Sequence, residues 1–157
     1  MPITVRNSES RDAEAIGRLA GEFHAYLRSL GDMAEFDFGA AAYLRDGFGD
    51  DPAFAGLVAE LDSVVIGYLL YHFGYDTDHG QRLVHVIDIY VTEQFQRHGT
   101  GEALMQQVAE IGRSRRAELL IWSVYRPNVI AKDFYEKLGA KYLNGLDFMS
   151  LSICPAA

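Results

Sequence analysis

The spacing of hydrophobic positions changes along this chain, and each change marks an element. Ile3-Thr4-Val5-Arg6 alternates with a period of two, as a strand with one buried face does. Beyond Ser10, a candidate N-cap, Ile16, Leu19, Phe23, Leu27 and Leu30 recur at helical spacing as far as Gly31. The acidic, aromatic stretch 32–38 breaks that period. A short helix is predicted over 40–45, ended by Gly47, Gly49 and Pro52. Residues 54–61 and 64–75 are apolar runs joined tightly at Asp62-Ser63, the mark of a hairpin. A turn over 76–80 leads into 84–91, a run that is nearly all apolar, rich in β-branched residues and too short for a typical helix. It reads as a buried strand. Helical spacing returns between about Gly101 and Arg115, with Leu104, Val108 and Ile111 on one face. A strand over 119–124 follows. A helix beginning at Pro127-Asn128 then turns Ile130, Phe134 and Leu138 inward and stops at Gly139. Two last strands are expected near 140–143 and 148–153. The order is β-α-α-β-β-β-α-β-α-β-β, which predicts an α/β domain with a mixed sheet and helices on both faces. No repeat, low-complexity tract or linker interrupts it, so residues 1–157 are expected to form a single domain.

Composition narrows the functional classes. At 157 residues, 49% hydrophobic and 23% charged, the chain can bury a proper core without staples. A net charge of −8 argues against nucleic acid and favours a cationic small molecule or peptide. No apolar run approaches the ~20 residues of a membrane span, and the first residues lack the apolar region of a signal peptide. The single cysteine, Cys154, excludes an internal disulfide framework and fits a reducing cytoplasm. Five histidines without metal-ligand spacing predict no metal.

The chemistry concentrates where the buried strand ends. From Val91 the chain passes through Gln96-Arg97-His98-Gly99-Thr100-Gly101 into a helix. A strand, a glycine-bearing turn and a helix start aim several backbone N–H groups at one spot, supported by the helix dipole. That spot suits phosphate, and Arg97 can add a charge to it. A dinucleotide fingerprint would need glycine at 104, where this chain has Leu104; a P-loop would need Gly-Lys-Ser/Thr, which is absent. Taken alone, such a turn is as often structural as ligand-binding.

The Q-x-x-G-x-G pattern over 96–101 resembles the acyl-CoA pyrophosphate loop of the GNAT superfamily of N-acetyltransferases. Asn128-Val-Ile-Ala-Lys-Asp-Phe134-Tyr135-Glu-Lys-Leu-Gly139-Ala140 is similar to that superfamily's N-x-x-A-x-x-F-Y helix. Residues 46–60 and 65–91 resemble the diamine (spermidine/spermine) N-acetyltransferase branch, and the likeness runs from about residue 3 to 142. It implies the GNAT fold: a mixed central sheet of about six to seven strands, flanked by about four helices and splayed at the central strand. It implies acetyl-CoA as co-substrate, a small-molecule primary amine as acceptor, and a homodimer; direct transfer in a ternary complex is favoured because the only cysteine, Cys154, lies in neither motif. Two other readings stay open, a protein or peptide N-acetyltransferase and a non-catalytic acyl-CoA-binding module.

Carried over by position, Ile89, Tyr90 and Val91 match the strand end that pairs with pantetheine. Gln96, Arg97, His98, Gly99, Thr100, Gly101 and Glu102 match the phosphate turn, and Asn128 matches the CoA-side asparagine. Tyr135 falls on the catalytic tyrosine, while Asp76 and Asp88 fall on acidic positions of the amine pocket. The resemblance fails at Ile87 and Leu27, where the branch carries glutamates, and this weakens a polyamine assignment. The Val91 N–H could polarise a thioester oxygen, and Tyr135 could protonate the departing sulfur. Asp88, an unusual residue for a strand, could bind the substrate ammonium or accept its proton. It could equally be a hydrogen-bonded structural aspartate, and Tyr135 an ordinary core aromatic. Glu93, His85 and His72 are weaker candidates for the base. Glu22, Asp32, Glu35 and Asp37 form an acidic group that could close over the acceptor or simply be solvated.

Overall fold

In the computed structural model, which describes residues 2–155, all strands join one five-stranded sheet in the order β1-β2-β3-β4-β5. β1 (Thr4–Asn7), β2 (Ala55–Leu61), β3 (Val64–Asp76) and β4 (Gln81–Val91) are successive antiparallel neighbours. β5 (Ala117–Ile121) adds to β4 in parallel, so the sheet is mixed as expected. The β2–β3 hairpin turns on Asp62 and Ser63, both at positive φ (51° and 65°), the backbone that a two-residue turn between twisted strands requires.

Four helices cover the sheet: α1 (Ala13–Ser29), α2 (Ala40–Gly47), α3 (Thr100–Ser114) and α4 (Val129–Lys137). The predicted cap Ser10 lies inside a 3₁₀ turn that precedes α1; the reach-back bond there comes from Asp12, which accepts the Glu9 N–H at 2.7 Å. On one side of the sheet Leu57, Leu69, Val84 and Val86 pack with Leu104, Met105 and Val108 of α3. On the other, Val58, Tyr68, Leu70 and Tyr90 pack with Ile16 and Leu19 of α1 and Tyr43 of α2. Burial on both sides is why these strands read as continuous apolar runs rather than as alternations.

Two bulges shift that pattern. In β4, Asp88 lies opposite Leu70 and Val86 opposite Tyr71, which leaves Ile87 as the extra residue. Val84 and Val86 before it, and Ile89 and Val91 after it, therefore all face α3. Asp88 and Tyr90 are turned to the α1 side. A similar slip in β3 leaves Ile66 unmatched.

The C-terminal end departs from expectation. Residues 140–155 form no strand, so the sheet has five strands rather than six or seven. A strand needs an edge to pair with, and this segment lies against none: Phe148, Met149, Leu151 and Ile153 are 84%, 95%, 87% and 91% exposed. In α4, Ile130 and Leu138 are also exposed, contrary to the inward stripe predicted; Phe134 is the residue that meets the core.

Candidate active site

The site is built on a gap between strands. Pairing of β4 with β5 stops at His85 opposite Ile121, while β4 runs on to Val91 beside β3 alone. The Thr92 N–H bonds the Ile66 carbonyl at 2.9 Å, back toward β3. Backbone groups of successive strand residues point to opposite edges, so the Val91 N–H and C=O face the open side. The Gln96 side chain donates to that carbonyl at 2.7 Å, leaving the Val91 N–H as the free group. Gln96 thus braces the strand end with its side chain, a role its place in the motif did not reveal.

The turn after β4 has the form an anion cradle requires. Arg97 and Gly99 both take left-handed backbone, at φ 64° and 84°. A side chain on Gly99 would meet nothing within 4 Å, so the space before it is open; its glycine is demanded by φ. Gly101 is different. A Cβ there would lie 3.1 Å from the Phe134 ring, so this glycine also lets α3 and α4 close on each other. The first intrahelical bond of α3 runs from the Ala103 N–H to the Gly99 carbonyl at 2.9 Å, and the N–H groups of Thr100, Gly101 and Glu102 precede it. Arg97 and His98 are exposed at the rim. The Thr100 hydroxyl is buried and has no protein partner among the described residues.

Asp88 and Tyr135 come together across the gap. Burial alone pushes the Asp88 carboxyl up to about 6. Burial, and then the nearby Asp88 charge, pushes the Tyr135 phenol up to about 12, so it stays protonated at neutral pH. The Tyr135 ring leans on Trp122 (centroids 5.0 Å) and Phe134 (5.3 Å). Asn128 caps α4: its Oδ1 accepts the Ala131 N–H at 3.2 Å and the Tyr26 hydroxyl at 3.1 Å, tying α4 to α1. Ile89 and Tyr90 complete the strand end. Tyr90 donates to Glu22 at 3.4 Å, and burial together with the Glu22 charge pushes its phenol up to about 12.

Asp76 does not join this group. It holds the β3–β4 turn, accepting from the Asp78 N–H (3.0 Å) and the Gln81 side chain (3.0 Å) and pairing with His79 (2.7 Å). Six residues of strand separate it from Leu70 opposite Asp88, about 20 Å at ~3.3 Å per residue. The expectation that Asp76 and Asp88 share one pocket fails within a single chain, because they occupy opposite ends of a hairpin. His72 and His85 are paired with each other at 3.0 Å in the middle of that hairpin.

Of the acidic group that could close over the acceptor or be solvated, one carboxylate reaches the end of β4. Glu22 of α1 accepts from the Thr92 hydroxyl at 2.8 Å and pairs with Arg18 at 3.2 Å. Its place one residue before Phe23, on the stripe that packs against Tyr90 (5.3 Å), was the available signal. Asp32, Glu35 and Asp37 stay on the loop between α1 and α2, which docks on α1 through Phe36 stacked on His24 (4.3 Å) and Arg28 donating to the Ala34 carbonyl (3.2 Å).

Residues 18–140 match the model of the Acetyltransferase (GNAT) family. The chain is 33% identical over 149 residues to a thialysine N-epsilon-acetyltransferase of Bos taurus, covering 90% of this chain and 85% of that one. It is 30% identical over 143 residues to spermidine/spermine N(1)-acetyltransferase-like protein 1 of Homo sapiens; the match covers 87% of this chain and spans a fifth (20%) of that relative's length. A tetramutant of the BH1408 protein of Bacillus halodurans shares the fold, with a TM-score of 0.79 at 20% identity, covering 96% of this chain and 99% of that one.

Proposed function

The chain belongs to the acetyltransferase (GNAT) family and is an acetyl-CoA-dependent N-acetyltransferase; from this premise we propose that it acetylates a primary amine of a small molecule by direct transfer in a ternary complex. The observation that carries the reading is the gap at the end of β4. One free backbone N–H, one carboxyl raised to about 6 and one protonated phenol surround it.

Acetyl-CoA supplies an activated acyl group and a thiolate leaving group. The residues present fit it: the left-handed Gly99 opens the approach to the α3 N–H groups, Arg97 and His98 stand at the rim, and β4 beyond His85 has an unpaired edge. In our reading Thr100, Gly101 and Glu102 donate backbone N–H groups to the pyrophosphate, and Ile89, Tyr90 and Val91 pair with the pantetheine arm. Gln96 and Asn128 hold the backbone of that site in place. Asp88 takes a proton from the incoming ammonium, directly or through water, and so frees the nitrogen lone pair to attack the acetyl carbon. The Val91 N–H faces the carbonyl oxygen, where negative charge grows. As the C–S bond breaks, Tyr135 gives its proton to sulfur and recovers one from the nitrogen through solvent.

For the acceptor, apolar Ile87 and Leu27 stand where the diamine branch carries glutamates, and Asp88 and Glu22 are the carboxylates near the end of β4, one of them already tied to Arg18. This favours an amine with one reactive end and a partly apolar, amino-acid-like body over spermidine or spermine. The thialysine N-epsilon-acetyltransferase likeness agrees. We further read the protein as a cytoplasmic homodimer. The exposed apolar residues Leu143, Leu146, Phe148, Leu151 and Ile153 support this, since a second copy could pair with their segment, and Cys154 would remain a free thiol there.

Thiol release measured over a panel of amines, alongside calorimetry with acetyl-CoA, tests the assignment. The expected result is tight acetyl-CoA binding with turnover of amino-acid-like amines. Tyr135→Phe, which keeps the ring, should lower turnover by about 10²-fold or more. Binding without turnover of any amine would instead identify an acyl-CoA-binding module. Sedimentation of the chain cut after residue 140 reads out the dimer.

A further inference from the structure

Tyr68 is a polar side chain to which the mechanism above gives no task. It is fully buried (0% exposed) on the α1 side of β3, and its hydroxyl has no hydrogen-bond partner among the described residues. Leaving a buried hydroxyl unpartnered is costly, and phenylalanine would fill the same space without that cost. Its neighbours are specific. Tyr68 lies directly opposite Tyr90, and Leu70, two residues along, lies opposite Asp88. Tyr68 and Asp88 are therefore diagonal partners on one face, a separation that an aromatic side chain spans. The nearness registers electrostatically: after burial itself, the Asp88 charge and then Tyr90 raise the Tyr68 phenol well above its ordinary value.

The groups facing Asp88 are few. Tyr68 of β3 and Tyr135 of α4 both feel its charge, Tyr90 lies two residues along on the same face of β4, and no cation stands among these three. The Tyr90 hydroxyl is committed to Glu22. The Tyr135 proton is needed at sulfur. Tyr68 is the hydroxyl left over.

We propose that Tyr68 is a positioning residue of this site: its hydroxyl donates, through one buried water, to the Asp88 carboxylate and stabilises the ionised base. A bridging water suits the arrangement, since the two groups form no direct bond and each has unused hydrogen-bonding capacity. The inference rests on the reading of Asp88 as the base. A donor aimed at the charged form opposes the burial that raises the carboxyl.

The test is Tyr68→Phe, with the Asp88 carboxyl followed by carbon NMR (assigned by its absence in Asp88→Asn) and kcat/KM followed against pH. The Asp88 midpoint should rise by about half to one pH unit, the net size of one ordinary hydrogen bond, here relayed through water. The kcat/KM should fall several-fold near pH 6 and converge with the parent above pH 8, with acetyl-CoA affinity unchanged. In an Asp88→Asn background the second substitution should have no further effect on rate. Site-specific fluorotyrosine at 68, a stronger donor, should move the midpoint down. An unmoved Asp88 midpoint in folded Tyr68→Phe overturns the proposal. A fully active Asp88→Asn refutes the base reading instead, and the NMR midpoint still reports on Tyr68 independently.

Discussion

Asp12 and Asp88 are both aspartates withdrawn from solvent at the sheet, yet the molecule treats them oppositely. At the N-terminal corner the Arg6 guanidinium grips Asp12 with two bonds, at 2.9 and 2.8 Å, and also reaches Glu60 of β2. Burial pushes the Asp12 carboxyl up, but the Arg6 bond and the Glu9 N–H outweigh it and hold it below the usual range. At the β4 bulge Asp88 has burial and, among the described residues, no cation beside it, and its carboxyl rises to about 6. Withdrawal from water is common to both. The partner decides the sign, and with it whether a carboxylate serves the fold or stays available for chemistry.

Exchanging the roles should expose the contrast, most strongly through activity. Asp88→Asn should lower kcat/KM by roughly 10²–10⁴-fold, the usual cost of losing a general base, with little change in acetyl-CoA affinity. It should not cost stability. Holding an ionised carboxyl two units above its ordinary ~3.9 disfavours the native state by about 3 kcal/mol at neutral pH, and the variant escapes this. A thermal melt showing Asp88→Asn well below the parent at pH 7 would contradict the assignment.

Asp12→Ala should do the reverse. It takes two charge-assisted bonds from a half-buried Arg6 that keeps Glu60, a loss of about 1.5–3 kcal/mol. Denaturant midpoints should drop accordingly, while the turnover of the folded fraction stays near that of the parent.

The pH dependence of stability separates the two groups next. The folded-state value of Asp12 is depressed, so its contribution is present above the unfolded ~3.9 and is lost as pH falls through the folded value. The folded-state value of Asp88 is raised, so stability is highest below ~3.9 for that group and declines as pH rises through about 6. Melting temperature against pH should have a shallower acid limb in Asp12→Ala and a shallower decline between about 4 and 6 in Asp88→Asn.

The smallest effect concerns the turn that serves both fold and ligand. Gly99→Ala should cost about 1–2 kcal/mol through left-handed strain and weaken acetyl-CoA binding. Gly101→Ala should instead strain the contact with Phe134, so a loss of binding there reports helix packing as much as phosphate approach. Calorimetry beside melting curves tells the two apart.

Much of the architecture was legible because it is local. The β2–β3 hairpin was written in Asp62-Ser63 between two apolar runs, α3 in the spacing of Leu104 and Val108, and the turn in Gln96 through Gly101. The ends of elements were harder to read. Ser10 looks like a cap, but Asp12 makes the bond because Arg6, six residues back in β1, draws it inward. The C-terminal alternation reads as strand, yet a strand is a property of a pair of segments, and its partner is not encoded in its own residues.

By itself, then, the sequence determined which segments become helix or strand and where a glycine turn opens a helix, since periodicity and left-handed backbone are local demands. Tertiary structure alone decided which side chains meet. A single extra residue, Ile87, turns Asp88 to the α1 side, the early end of β5 opens the gap beside it, and hairpin length carries Asp76 away. Register is set by long-range pairing, and proximity follows register.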